Sequence, residues 1–205
     1  MSSFDKSFVY ISSICSVQNF SVIKEENFFS FLRLTQQLED LEKDFHNVDC
    51  GKLKIGDILV AKANSRLNGT FFRSKVTNFN PFARNATVVQ IDTGKMEIVP
   101  FSSLLQLPDE FTLEVTPPLA ITNCKLDCFA PSERSRDVFL AVTTTKRLLM
   151  QVIKSYEDGS LEVDLLIHED EDTDQTVSVS VRDILVIIYF DLMLAAKLFL
   201  LGIHR

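Results

Sequence analysis

Two stretches in the middle of the chain decide the fold: residues 54–76, KIGDILVAKANSRLNGTFFRSKV, and residues 86–100, ATVVQIDTGKMEIVP. Apolar residues recur there with a period of about two, which is typical of β-strands that bury one face. Turn-forming residues separate the runs. The pattern predicts four short strands, at Asp57–Asn64, Gly69–Asn78, Ala86–Asp92 and Lys95–Pro100. Short strands this close together favour a small β-barrel.

The segment before the barrel predicts two strands and a long helix. Ser7–Asn19 and Phe20–Lys24 are rich in β-branched and aromatic residues and are separated by a tight turn. In Glu25–Asn47 the apolar residues recur at spacings of three and four, with acidic and basic residues on the other face. This spacing is typical of an amphipathic helix.

The segment after the barrel predicts further strands with two helices. We expect strands at Leu119–Phe129, Arg147–Tyr156, Ser160–His168 and Val177–Ser180, and a helix over Ser132–Thr143. Asp158-Gly159 favours a hairpin between the second and third of these strands. Ile184–Leu201 is strongly apolar, but Asp191 and Lys197 within it favour a buried terminal helix over a membrane span. The N-terminus lacks the pattern of a signal peptide.

Composition favours a globular protein with an uneven distribution of charge. The 205 residues are 46% hydrophobic and 24% charged, which excludes a largely disordered chain. The chain has only four Cys, which excludes a disulfide scaffold. The net charge is −7, which argues against a dedicated nucleic-acid-binding protein. Residues 51–100 carry eight basic and three acidic side chains, which is a net charge of +5. The rest of the chain therefore has a net charge of −12.

Four segments of the middle block resemble, in order, the strand motifs of Tudor domains: Lys54–Lys62, Asn68–Val76, Val88–Lys95 and Ile98–Leu105. Leu107-Pro108 and Pro117–Ile121 are similar to the segments that follow the barrel in this family. The flanking elements resemble the extended Tudor domain, in which the barrel is inserted into a staphylococcal-nuclease-like (SN-like), OB-type fold. The resemblance covers about residues 7–187.

This resemblance implies an α+β fold that is mainly β, with a five-stranded Tudor barrel and an SN-like subdomain joined by a long linker helix. The implied parts are the first SN-like strands (1–24), the linker helix (25–47), the barrel (48–108), the remainder of the SN-like subdomain (109–187) and a C-terminal helix or tail (188–205). It also implies a non-catalytic peptide-binding scaffold of small-RNA (piRNA) silencing. The implied partner is the arginine-rich tail of a Piwi-type Argonaute, in a cytoplasmic, perinuclear germ granule.

The family binds symmetrically dimethylated arginine in a cage of four aromatic positions and one Asn. The corresponding residues in this chain are Ala63, Phe72, Gln90, Thr93 and Lys95, so one ring remains and a cation takes the place of the Asn. Each ring face contributes about 0.5–2 kcal/mol to binding a cation. The loss of three rings therefore weakens the site by roughly 2–5 kcal/mol. We expect a degenerate cage that binds unmethylated arginine, with Gln90, Thr93 and Lys95 largely exposed.

Two further features bear on such a ligand. Asp92 either orients the Thr93-Gly94 backbone or accepts the fork of a guanidinium directly, and Gln90 also offers an acceptor. Residues 157–174 contain nine acidic side chains and no Lys or Arg. The loop with Glu169, Asp170, Glu171 and Asp172 is either a solvated surface or an electrostatic lure for a basic peptide.

Other classes of function remain open. An assembly domain would use the Ile184–Leu201 helix or the Phe28/Phe31 face to hold a second copy or another protein. RNA binding by the barrel or OB surface is less favoured. We expect no catalytic residue, metal or cofactor, because Cys124 and Cys128 lack the second pair of ligands that a zinc site needs and the carboxylates lack an arginine cluster. The cysteines are expected to be free thiols.

Overall fold

The structure is a computed structural model that describes residues 6–63, 70–126, 133–169 and 177–187. Two compact units divide the chain: Ser21–Ile121, and the flanking segments Met1–Phe20 and Thr122–Arg205. The strands are β1 (Lys6–Ser16), β2 (Asn19–Lys24), β3 (Ile58–Lys62), β4 (Phe71–Asn80), β5 (Asn85–Gln90), β6 (Met96–Pro100), β7 (Leu104–Leu105), β8 (Ala120–Lys125), β9 (Leu148–Ser155), β10 (Leu161–Glu169) and β11 (Val177–Ser180). The helices that precede and follow the barrel are α1 (Glu25–Asp40) and α2 (Glu133–Thr143).

Five strands form the predicted barrel, in the order β6-β5-β4-β3-β7. Their burial follows the alternation seen in the sequence: along β5, the side chains of Ala86, Val88 and Gln90 are buried and those between them are half-buried. The barrel core consists of small and branched apolar residues: Leu53, Leu59, Ala61, Val76, Ala86, Val88, Val99 and Leu104. This side-chain packing fixes the register, because a shift by one residue would turn the apolar face outward.

The helix α1 ends at Asp40, seven residues before the predicted end at Asn47. A helix that runs on to Asn47 is excluded, because the Val48 N–H donates to the Leu104 carbonyl at 3.2 Å and Asn47 bridges to Leu105. A continuing helix would use the same backbone groups for itself. The buried face of α1 packs on the outer side of the barrel in a second apolar cluster of Leu34, Leu38, Val60, Phe71 and Phe111.

The other strands form a second sheet in the order β11-β10-β8-β2-β1-β9, with β10 also paired to β9. The predicted hairpin between β9 and β10 is present, and Gly159 has the positive φ of 80° that its turn requires. Phe139 of α2 meets the Phe20 ring edge-on at 5.1 Å between centroids. A helix over residues 181–187 follows β11, as predicted.

Parts of five predicted elements lie outside the described residues: the end of the strand to Asn64, the start of the strand at Gly69, the last residues of the strand to Phe129, the start of the helix at Ser132, and most of the terminal helix to Leu201. None of the helices in the described ranges is both long enough and apolar enough to cross a membrane.

Candidate functional site

The predicted cage positions lie at one end of the barrel. Strand pairing sets Ala61 opposite Phe72 and Ser74 opposite Gln90, so Phe72 and Gln90 occur on the strands that form this end. Ala63 follows β3 on the same face as Ala61, and its N–H donates to the Thr70 carbonyl at 2.9 Å. The ring of Phe72 is half-buried.

The other three positions belong to one hydrogen-bonded chain of side chains. Thr93 Oγ1 donates to Gln90 Oε1 at 2.7 Å, and Gln90 Nε2 donates to Glu97 Oε2 at 3.2 Å. The Lys95 ammonium donates to Glu97 Oε1 and completes the chain. We call Gln90, Thr93, Lys95 and Glu97 the polar network.

The expectation that Gln90, Thr93 and Lys95 are largely exposed is wrong for two of them. Gln90 is 2% exposed and Thr93 is 8% exposed, whereas the Lys95 side chain is 56% exposed. The turn after β5 explains the difference, because the Gly94 N–H donates to the Gln90 carbonyl at 2.8 Å and folds Thr93 back over the end of the strand. Gly94 has a φ of 71°, which suits a residue without a Cβ.

Asp92, next to this network, holds a buried ion pair with Arg73. Arg73 Nε donates to Asp92 Oδ2 at 2.9 Å, and Nη2 donates to Oδ1 at 2.6 Å, so the fork is bidentate. The side chains are 0% and 5% exposed. The remaining guanidinium donors reach the carbonyls of Phe111, Thr116 and Pro117. All five donors of a guanidinium are therefore used.

The guanidinium that Asp92 binds thus belongs to its own chain and not to a ligand. Asp92 Oδ1 also accepts the Leu119 N–H at 3.2 Å, so both carboxylate oxygens are engaged. The expectation that Asp92 receives a ligand's arginine is contradicted by this geometry, since the buried Arg73 already compensates the charge. A role in orienting the Thr93-Gly94 backbone stays a prediction. The ion pair instead ties the segment after the barrel, through Phe111 and Pro117, to the barrel wall.

The acidic residue that does sit at the barrel end is Glu97, which the sequence reasoning did not select. Its side chain is 19% exposed and contacts both Lys95 and Gln90. The signal was present in the alternation of β6, because Glu97 shares a strand face with the buried Val99. An acidic residue on a core-facing position at a strand end needs a partner.

Phe71 precedes Phe72 on β4, so the two side chains lie on opposite faces of the strand. Phe71 is 2% exposed, and its ring lies 5.3 Å from that of Phe45 in the cluster beneath α1. It therefore supplies no ring to the barrel end. Phe82 is 98% exposed in the turn between β4 and β5.

Most of the predicted acidic loop lies outside the residues that the structure describes. Glu169 ends β10, while Asp170, Glu171 and Asp172 lie outside the described residues, so the lure stays a prediction. Cys15, Cys50 and Cys124 are free thiols. Burial raises the pKa of Cys124 to about 12. The described ranges contain no group of three or more side chains that is suited to hold a metal ion.

Comparison with known proteins gives a family and a fold. The family model described as the Tudor domain matches residues 4–127, more than half of the chain. No curated protein sequence matches. Among solved structures, the extended Tudor domain of human TDRD1, in complex with a symmetrically dimethylated peptide, superimposes with a TM-score of 0.74 at 18% identity, covering 91% of this chain and 89% of that one.

Two more solved structures have the same fold. The extended Tudor domain TD3 of mouse TDRD1, with a dimethylarginine-containing MILI peptide, gives a TM-score of 0.74 at 19% identity, over 91% of this chain and 92% of that one. The extended Tudor domain of Drosophila melanogaster Tudor-SN gives 0.69 at 21% identity, over 86% and 80%. With its barrel, its second sheet and the matching family model, the chain belongs to the Tudor domain family and has the fold of an extended Tudor domain.

Proposed function

We propose that this chain is a non-catalytic scaffold of small-RNA silencing that binds the arginine-rich tail of a Piwi-type Argonaute at the barrel end, in a cytoplasmic germ granule. Support for a peptide ligand comes from its neighbours: mouse TDRD1 is solved with a MILI peptide, and Tudor with a dimethylated Aubergine peptide. The observation that carries the proposal is an ion pair at the barrel end. In this pair the mostly buried carboxylate of Glu97 binds the exposed ammonium of Lys95.

The polar network can exchange one cation for another. The Lys95 side chain is 56% exposed and that of Glu97 is 19% exposed, so Lys95 can swing into solvent while the carboxylate stays in place. An incoming guanidinium then takes the position of the ammonium on Glu97. A guanidinium suits this exchange because it matches a carboxylate bidentately and is more weakly hydrated than an ammonium.

The exchange favours an unmethylated arginine. Symmetric dimethylation removes one N–H from each terminal nitrogen and leaves three donors of five. Methyl groups gain free energy mainly against ring faces, and Phe72 is the one aromatic residue among the matched positions. The single ring is worth about 0.5–2 kcal/mol, which is comparable with the loss of one charge-assisted hydrogen bond. Methylation therefore brings little or no net gain.

The test is a calorimetric titration of an Ala-Arg repeat peptide into the 205-residue chain and into two Phe variants. Phe72→Ala should weaken binding by about two- to thirtyfold, which corresponds to the loss of one cation–π contact. Phe82→Ala is the matched control, because this ring is 98% exposed in another turn, and it should leave the affinity unchanged. Equal affinities of both variants would contradict binding at the barrel end.

A second candidate, an assembly domain, is favoured by the outer face of α1. Phe29 is 80% exposed and Leu32 is 48% exposed, one turn apart on this helix. The predicted Phe28/Phe31 face is half-buried, so the exposed pair differs from the one that the sequence suggested. An apolar interface should keep its affinity as salt rises, whereas arginine binding should weaken. Absence of peptide binding, together with self-association that Phe29→Ser abolishes, would favour assembly.

A further inference from the structure

A cavity of about 420 Å³ opens beside the start of β3, and none of the cage positions lines it. It is formed by the loop before β3, the first residues of β3 and the segment after β7, all within the Ser21–Ile121 unit. Its volume falls within the range of roughly 300–1,000 Å³ that is usual for ligand pockets. The apolar part of its lining consists of Val48, Leu53, Ile58, Leu59, Leu107 and Leu113.

The polar part of the lining is acidic. Asp57 and Glu114 are its charged residues, with Gln106 and Thr112 beside them. Asp57 is held in place, because its Oδ2 accepts the Lys54 N–H at 2.8 Å. Of the two cations that precede it in the loop, Lys52 is paired with Asp49 at 3.4 Å, and neither Lys52 nor Lys54 belongs to the lining.

We propose that this cavity is a second binding site, and that it takes the arginine side chain of a peptide. An arginine combines a three-carbon apolar stem, which fits the leucine-rich wall, with a cation that matches the two carboxylates. An apolar side chain would remove water from Asp57 and Glu114 without pairing them, and an anion would be repelled. A lysine has the charge but lacks the fork and loses more hydration.

None of the residues that line the cavity belongs to the polar network. Ile58 lines the cavity at the start of β3, and Ala63 follows the end of the same strand. Five residue steps at about 3.3 Å each separate them, or roughly 16 Å. A peptide with arginines about five residues apart in extended form spans that distance, so one arginine-rich tail can occupy both sites. This goes beyond the proposed function, which needs the barrel end alone.

The test is a titration of the ¹⁵N-labelled 205-residue chain with four short peptides, Ala-Ala-X-Ala-Ala, in which X is arginine, lysine, citrulline or leucine. The arginine peptide should shift the backbone amides of Asp57, Ile58 and Leu113. The double variant Asp57→Asn/Glu114→Gln should weaken this binding by roughly fivefold or more, because it removes both charges and keeps the shape. Asn at position 57 can still accept the Lys54 N–H, so folding is preserved.

The controls separate this site from the barrel end. Glu110→Gln removes a carboxylate from the turn before Glu114 without touching the lining, and it should change nothing. Phe72→Ala should leave the shifts at the cavity intact, so failure at one site is distinguishable from failure at the other. The inference is overturned if the double variant binds as tightly as the parent, or if the arginine peptide shifts no lining amide. Equal binding of the citrulline, leucine or lysine peptide would also overturn it.

Discussion

Removing the charge of Asp92 tests whether the buried Arg73 ion pair holds the unit together. Asp92→Asn keeps the shape but leaves a guanidinium that is 0% exposed without a compensating carboxylate. The new amide group also turns N–H donors toward Arg73 donors. Breaking a buried pair by removing one partner costs about 3–5 kcal/mol. Since domains are stable by only about 5–15 kcal/mol, we expect a large fraction of the free energy of unfolding to be lost.

The assay is urea unfolding followed by circular dichroism, with hydrogen exchange to assign the change to residues 21–121. The Leu119 amide, which donates to Asp92 Oδ1, should lose protection first. The matched control is Lys52→Gln, which breaks the exposed Lys52–Asp49 pair and should cost no more than about 1 kcal/mol. A loss below about 1 kcal/mol for Asp92→Asn, or a loss equal to that of the control, would refute the reasoning.

Four further predictions concern Lys95, Gln90, Cys124 and the acidic residues 169–172. Lys95→Gln removes the cation that an arginine must displace, so it should raise the affinity for an unmethylated arginine peptide by about two- to fivefold in calorimetry, and a weaker affinity would contradict the exchange. Gln90→Tyr, at a position 2% exposed, should cost about 1–3 kcal/mol through overpacking in urea unfolding, and an unchanged midpoint would show that the barrel end is loose. Because burial raises the pKa of Cys124 to about 12, its thiol should stay protonated at neutral pH, and mass spectrometry should find Cys15 alkylated much faster than Cys124. Reversing the four acidic charges of 169–172 to Lys should slow association more than it speeds dissociation in stopped-flow measurements, and a change confined to dissociation would exclude a role as a lure.

The strands of the barrel were predictable because their side chains alternate. Burial along β5 repeats the sequence pattern residue by residue, and the predicted bounds differ from the observed ones by a few residues. The end of α1 was not predictable from periodicity. The apolar spacing continues through Phe45, but the pairing of Val48 with Leu104, which lies far along the chain, prevents the helix from reaching its predicted end.

The candidate site was predictable in its location but not in its chemistry. The family motifs predict the strand order and register of the barrel. They therefore predict that Phe72, Gln90, Thr93 and Lys95 lie at the same end of the barrel. What each carboxylate pairs with depends on contacts between strands. Asp92 pairs with the buried Arg73, whereas Glu97, which had no expected role, lies beside the exposed Lys95.

The most direct measurement of the central claim is a calorimetric titration of one arginine peptide, in unmethylated and symmetrically dimethylated forms, at low and moderate salt. We expect the unmethylated form to bind at least as tightly as the dimethylated one, and both to weaken as salt rises. A clear preference for the dimethylated form would contradict the claim, because it would require ring faces that the matched positions do not supply.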